Sequence, residues 1–96
     1  MRAAELLTIL LTNPRSQDYE GVFFEKNKQV LPFTAMDTSQ APDHILLYAE
    51  TNQPILPLDE WIACLSEFRE RILLFWDGED WNPIYGVKEV DQKLIV

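Results

Sequence analysis

Val22-Phe-Phe-Glu-Lys-Asn-Lys-Gln-Val-Leu-Pro-Phe33 aligns without a gap on Leu73-Leu-Phe-Trp-Asp-Gly-Glu-Asp-Trp-Asn-Pro-Ile84. The alignment places Pro32 on Pro83, and each copy follows a helical pattern and precedes a short apolar run. Self-similarity at a fixed offset is the sequence signature of a chain built from repeated units. We therefore predict that the chain contains two copies of one structural unit.

The first element of each unit is an amphipathic helix. Leucines form one stripe over residues 3–12, and apolar residues recur every three or four positions over residues 58–71. This spacing places the apolar side chains on one face of a helix. We predict a helix over each of these two ranges.

A hairpin pattern follows each helix. Asn27-Lys28 and Asp77-Gly78 lie at the two turn positions, and Asp-Gly between apolar runs is a strong hairpin signal. The proline in each returning strand cannot donate a hydrogen bond, which predicts an edge strand or a bulge. A short third strand at residues 45–48 and at 94–96 completes each copy. The predicted fold is α+β, with two α-β-β-β repeats whose helices pack on antiparallel sheet.

The chain is the size of a single domain, residues 1–96. A chain this short buries only about 60–65% of its unfolded surface, so the repeats, at residues 3–48 and 58–96, must share one core. The single cysteine, Cys64, excludes an intramolecular disulfide, and we expect a cytoplasmic protein.

Composition also restricts the class of partner. The net charge is −8, whereas direct binding to nucleic acid or to an anionic membrane depends on Lys and Arg side chains. No apolar run approaches the roughly 20 residues that a membrane helix needs. We therefore expect no direct nucleic-acid binding and no membrane association.

Signatures of an enzyme are missing from the sequence. The three glycines are isolated, and a Cys/His catalytic pair would have to be Cys64 with His44, of which Cys64 falls mid-helix. Asp77, Glu79 and Asp80 flank a tight turn without the spacing of a calcium loop. We predict a protein that is not an enzyme, with no catalytic residues, no cofactor and no metal.

The second hairpin is the candidate partner surface. Its aromatic residues lie beside an acidic turn, and aromatic side chains dominate the energetics of both cores and interfaces. The predicted surface consists of Trp76, Trp81, Tyr85, Asp77, Glu79 and Asp80.

The second copy carries a resemblance. Trp81-Asn-Pro-Ile-Tyr-Gly-Val87 and Val90-Asp-Gln-Lys-Leu-Ile-Val96 follow an apolar strand and an acidic glycine turn. Over residues 58–96 this pattern resembles short uncharacterised proteins that bacterial phages and prophages commonly encode. The resemblance implies a small accessory or interaction protein and attaches no catalytic residues. The first copy departs from it, with Ala35 where Gly86 stands.

Three functions follow as hypotheses. The first is a non-enzymatic cytoplasmic protein-interaction protein of phage or mobile-element origin. The second is an acidic inhibitor that mimics nucleic acid, which needs Asp77, Glu79, Asp80, Glu89 and Asp91 in one stripe. The third is a small ligand-binding domain or hydrolase, which needs a deep pocket bearing His44.

We also expect a protein partner and a homodimer. Consecutive apolar residues at 22–24 and 73–76 leave two apolar sheet faces for two short helices to cover. A terminal Lys93-Leu-Ile-Val96 strand would attract another strand if its edge were unpaired.

Overall fold

The computed structural model describes residues 1–12 and 19–96. In chain order the elements are α1 (Ala3–Thr12), β1 (Gly21–Lys26), β2 (Gln29–Pro32), β3 (Ala35–Asp37), β4 (His44–Tyr48), α2 (Leu58–Glu67), β5 (Ile72–Trp76), β6 (Trp81–Pro83), β7 (Lys88–Val90) and β8 (Lys93–Ile95). The fold is α+β, as the sequence predicted. Within the described ranges, neither ten-residue helix is long and apolar enough to cross a membrane.

The strands form two four-stranded sheets. Sheet I has the order β2-β1-β8-β7, and sheet II has the order β3-β4-β5-β6. The outer pairs are antiparallel, but the central pairs, β1 with β8 and β4 with β5, are parallel. The prediction of an antiparallel sheet is therefore wrong, and both sheets are mixed. In sheet II, α2 connects β4 to β5, and a parallel pair requires a long connection of this kind.

Each half of the chain contributes four strands, one more than predicted. The additional strands are β3 and β7, which have only three residues each and are not buried. Neither carries the alternation of apolar and polar residues that indicates a strand. The β7–β8 turn also lacks glycine, since Asp91 and Gln92 adopt its positive φ angles themselves.

The hairpins of the two sheets have matching registers. Phe23 pairs with Pro32 in sheet I, and Leu74 pairs with Pro83 in sheet II. The separation in sequence from Phe23 to Leu74 equals that from Pro32 to Pro83. Both prolines lie on edge strands, β2 and β6, which agrees with their lack of a donor.

The second helix ends earlier than its apolar pattern indicates, at Glu67 instead of Arg71. Phe68 adopts a non-helical conformation, and the backbone after it forms hydrogen bonds with α1 instead of continuing α2. The carbonyl oxygens of Arg69 and Arg71 accept hydrogen bonds from the backbone N–H groups of Ala4 and Ala3. The chain after α2 therefore holds the first turn of α1, where N–H groups have no helical partner.

One core is shared by both helices and both sheets. Alternation along β1 directs Val22 and Phe24 inward and Phe23 to the other face. Leu6 and Leu10 of α1 and the inward residues of β4 and β5 complete the same buried cluster. The inner faces of the two sheets therefore cover each other together with the helices, as one domain of this size requires.

The C-terminal strand is an interior strand. β8 lies between β1 and β7, so both of its edges are paired. The condition for self-association through Lys93-Leu-Ile-Val96, an unpaired edge, is therefore not met by this strand, and the homodimer stays a prediction. The edge positions fall to β2, β3, β6 and β7, whose short length limits edge-to-edge pairing.

Candidate interaction surface

The outer face of sheet II carries three aromatic side chains in contact, Tyr48, Trp76 and Trp81, here called the aromatic patch. Trp76 and Trp81 are directly paired across β5 and β6, with ring centroids 5.3 Å apart. The ring of Tyr48 meets Trp81 edge to face at 5.4 Å. Phe75, between Trp76 and Leu74 in the chain, points inward to Phe24. Strand alternation therefore requires the patch to lie on the face turned away from the core.

Apolar residues extend the aromatic patch along the same face. Leu46 and Leu74 are direct neighbours across the parallel pair, and Ile72 lies two positions before Leu74. Trp81 and Ile72 remain 40% and 39% exposed. An apolar sheet face with exposed large side chains is typical of a surface that another molecule covers.

Asp77 shapes the turn next to the aromatic patch. Its Oδ1 accepts hydrogen bonds from the backbone N–H groups of Glu79 and Asp80, both at 2.8 Å. Its Oδ2 accepts one from Asn82 at 2.9 Å. These donors, the backbone N–H of Asp80 first, lower the pKa of Asp77 to about 2. The carboxylate is thus committed to holding the turn and stays ionised.

Lys26 is the one base that contacts this turn among the described residues. Its Nζ lies 3.9 Å from Asp77 and 3.8 Å from Glu79, and it donates to the backbone oxygen of Asp77. With Asp80, the turn carries three carboxylates, two of which lie near the one ammonium group. The turn keeps a net negative charge beside Trp76 and Trp81.

The outer face of sheet I is covered differently. Phe23 and Ile95 are neighbours there and are only 5% and 3% exposed. Lys88 on β7 pairs with Glu25 on β1 at 3.0 Å, so this ion pair spans the face across β8. Lys93 lies over the Phe23 ring, 5.6 Å from its centroid. Long lysine side chains with charged ends thus cover the apolar residues of this face.

The two outer faces can be compared position by position. In sheet I, the pair that follows Phe23–Pro32 by two positions is Glu25 with Val30. In sheet II, the pair at the same place is Trp76 with Trp81. A charged residue and a valine in one sheet therefore correspond to two tryptophans in the other.

The structure unites part of the predicted surface. Trp76 and Trp81 are in contact and adjoin the acidic turn, whereas Tyr85 lies in the next loop and is 91% exposed. Asp77 stabilises the turn from within. Tyr48 belongs to the aromatic patch and was missed, although its spacing of two from Leu46 in an apolar run indicated the same strand face.

The carboxylates proposed as a nucleic-acid mimic divide between the sheets. Asp77 contacts Lys26 at the end of β1, whereas Asp91 lies in the β7–β8 turn beside the start of β1. These ends are about 17 Å apart along a six-residue strand. Glu89 on β7 accepts a hydrogen bond from the hydroxyl of Tyr19. The carboxylates therefore do not form one group around the acidic turn.

Cys64, one member of the candidate catalytic pair, is half-buried in α2. Burial, and next the charge of Glu67, raises the pKa of Cys64, which disfavours a reactive thiolate. A cleft of about 580 Å³ lies beyond the end of α2, and its lining includes Arg2, Arg69 and Arg71 but not His44. Residues 1–12 and 19–96 contain no cluster of three or more His, Cys, Asp or Glu side chains arranged to hold a metal ion.

No protein-family model, curated protein or solved structure matches this chain. The resemblance of residues 58–96 to phage-encoded proteins stays a prediction. The fold, the aromatic patch and the charges beside it are the observations from which a function can be inferred.

Proposed function

We propose that this chain is a non-enzymatic protein-interaction protein and that its docking surface is the outer face of sheet II. The observation that carries the proposal is the aromatic patch, which replaces the charged cover of sheet I at equivalent positions. Tryptophan and tyrosine are the residues most enriched where one protein binds another.

The asymmetry between the sheets supports a role beyond folding. An apolar sheet face can be covered without a partner, as Lys88, Glu25 and Lys93 cover sheet I. Sheet II has Trp76 and Trp81 instead, and Trp81 remains 40% exposed. Because aromatic side chains are large, their burial by a partner contributes much of the binding free energy of an interface.

Three finer statements belong to the same proposal. The halves of the chain are two copies of one unit, which the equal registers of Phe23–Pro32 and Leu74–Pro83 support. The protein is cytoplasmic and derives from a phage or mobile element. A homodimer remains one possible form of the interaction, with a second copy on the same face.

Mimicry of nucleic acid has weaker support. A mimic needs its carboxylates arrayed together, whereas Asp77 and Asp91 adjoin opposite ends of β1. For a ligand-binding domain or hydrolase, the cleft beyond the end of α2 gives no support at His44, because its lining does not include that residue.

A displayed random-peptide library tests the proposal. The protein is used to select binding peptides, which are then measured against two double variants. Trp76→Thr with Trp81→Thr removes the aromatic patch and retains β-forming residues. Val30→Thr with Val90→Thr is the matched control, because these valines are 40% and 43% exposed on the edges of sheet I.

We expect the selected peptides to lose at least tenfold in affinity for the tryptophan variant, since central aromatic residues each contribute about 2 kcal/mol or more. Affinity for the valine variant should change less than about twofold. Circular dichroism checks that both variants fold. If the peptides lose affinity for the valine variant and not for the tryptophan variant, the proposal is contradicted and the docking surface lies on sheet I.

A further inference from the structure

We infer that the occupant of the aromatic patch is a basic segment of a partner protein, with Lys or Arg side chains lying over Trp81 and beside Glu79 and Asp80. This inference rests on the proposed function and names the chemistry of the partner.

The acidic turn next to the aromatic patch favours a basic partner. The turn next to the patch has three carboxylates, of which Asp77 is held inside the turn and Lys26 offsets one charge. Glu79 and Asp80 are exposed, and within the described part of the chain neither forms an ion pair with a base other than Lys26. A basic segment would meet opposite charge there, which favours both its approach and its orientation.

The arrangement of the rings favours a cationic side chain lying over the patch. The centroids of Trp76 and Trp81, and of Tyr48 and Trp81, lie 5.3 and 5.4 Å apart, so the rings pack on each other. They leave no space between them for a cation, which excludes a cage for quaternary ammonium groups. An exposed indole face can instead accept an Arg or Lys side chain laid over it.

The edge of the sheet is a poorer place for a partner than its face. β6 has three residues, and Pro83 at its end has no N–H to donate to an added strand. A segment lying across Tyr48, Trp76 and Trp81 needs no backbone ladder. The contact therefore depends on side chains.

A second copy of this chain is a less suitable occupant. The net charge is −8, so two copies carry the same strong negative charge, and each would bring an acidic turn to the contact. Like charges placed together across an interface disfavour association. A basic partner turns the same charges into attraction.

The test uses three synthetic peptides of about twelve residues with alternating leucine: one has arginine, one glutamine and one glutamate at the other positions. Binding is followed by NMR through the indole N–H signals of Trp61, Trp76 and Trp81. Trp61 is fully buried in the core and serves as the internal control.

We expect the arginine peptide to shift the signals of Trp76 and Trp81 and leave Trp61 unchanged. Its affinity should fall about tenfold between about 0.02 and 0.3 M salt, since exposed charges are screened. Glu79→Gln with Asp80→Asn should weaken binding about threefold to tenfold. Glu20→Gln with Asp91→Asn changes the net charge equally at the start of β1, the end opposite Lys26, and should weaken binding less than about twofold.

The other outcomes overturn the inference in distinguishable ways. If the glutamine peptide binds as tightly, or if both double variants behave alike, the face binds protein but not a basic segment. If Trp76 and Trp81 shift with protein concentration alone, the occupant is a second copy. If no peptide and no concentration moves these two signals, both the inference and the proposed function are wrong.

Discussion

Phe24 and Phe75 meet between the two sheets, with ring centroids 5.1 Å apart and ring planes at 44°. The two residues occupy equivalent positions, because Phe24 pairs with Leu31 on β2 and Phe75 pairs with Asn82 on β6. The contact joins one half of the chain to the other at the centre of the shared core. It explains why two halves, each too small for a core of its own, can fold as one domain.

The Phe24–Phe75 contact predicts an energetic coupling. In a double-mutant cycle of Phe24→Leu and Phe75→Leu, we expect a coupling of about 0.5–1.5 kcal/mol, as for aromatic pairs in contact. Urea unfolding measures the four free energies. A cycle of Phe24→Leu with Tyr85→Leu is the control and should give no coupling, because Tyr85 is 91% exposed. Equal coupling in both cycles would contradict the contact.

The orientation of the helices predicts different effects for neighbouring leucines. Leu10 is 1% exposed, whereas Leu11 is 58% exposed on the same helix. Leu10→Ala should reduce the free energy of unfolding by about 2–5 kcal/mol, and Leu65→Ala in α2 should do the same. Leu11→Ala should change it by less than about 0.5 kcal/mol. Similar losses at Leu10 and Leu11 would show that α1 presents another face to the core.

The sequence predicted the helices, the hairpins and the edge position of the prolines, because each depends on local spacing. α1 has the predicted bounds, and Pro32 and Pro83 lie on edge strands. The parallel pairs were not predicted, since β1 meets β8 from the far end of the chain. Local patterns contain no information on such distant pairing, which decides whether a sheet is mixed or antiparallel.

Part of the candidate surface could be predicted in the same way. Trp76 and Trp81 belong to one hairpin, so their proximity follows from the turn. Tyr48 joins them through the parallel pairing of β4 with β5, which the sequence does not specify. The contrast with Glu25 depends on which face of each sheet points away from the core, and local spacing does not specify this.

Asp77 predicts a pH dependence of stability. Its pKa is about 2 in the folded chain, below the ordinary value of 3.8, because backbone N–H groups bind the charged form. The unfolded chain therefore binds protons more readily than the folded one, and the stabilisation is complete above about pH 5 and lost as the pH falls towards 2. Asp77→Asn keeps an oxygen acceptor and removes this titration.

Urea unfolding of the wild-type protein and Asp77→Asn at several pH values measures the effect. The difference in unfolding free energy should be constant above about pH 5 and shrink as the pH falls towards 2. Asp80→Asn is the control, because only the backbone of Asp80 bonds to Asp77 and that backbone is unchanged. A difference that stays constant down to about pH 2 would mean that the turn does not bind the Asp77 carboxylate.

The acidic turn beside Trp81 also predicts how ions quench its fluorescence. A variant with Trp61→Phe and Trp76→Phe retains Trp81 as its single tryptophan. Because the exposed Glu79 and Asp80 directly precede Trp81, caesium should quench this ring more efficiently than iodide, relative to the ratio for a free tryptophan amide. Adding Glu79→Gln and Asp80→Asn should reduce the preference for caesium. Adding Glu20→Gln and Asp91→Asn, which lie beside the start of β1 in sheet I, should leave most of it. If both pairs of substitutions reduce the preference for caesium equally, the preference comes from the net charge of −8 and not from the carboxylates beside Trp81.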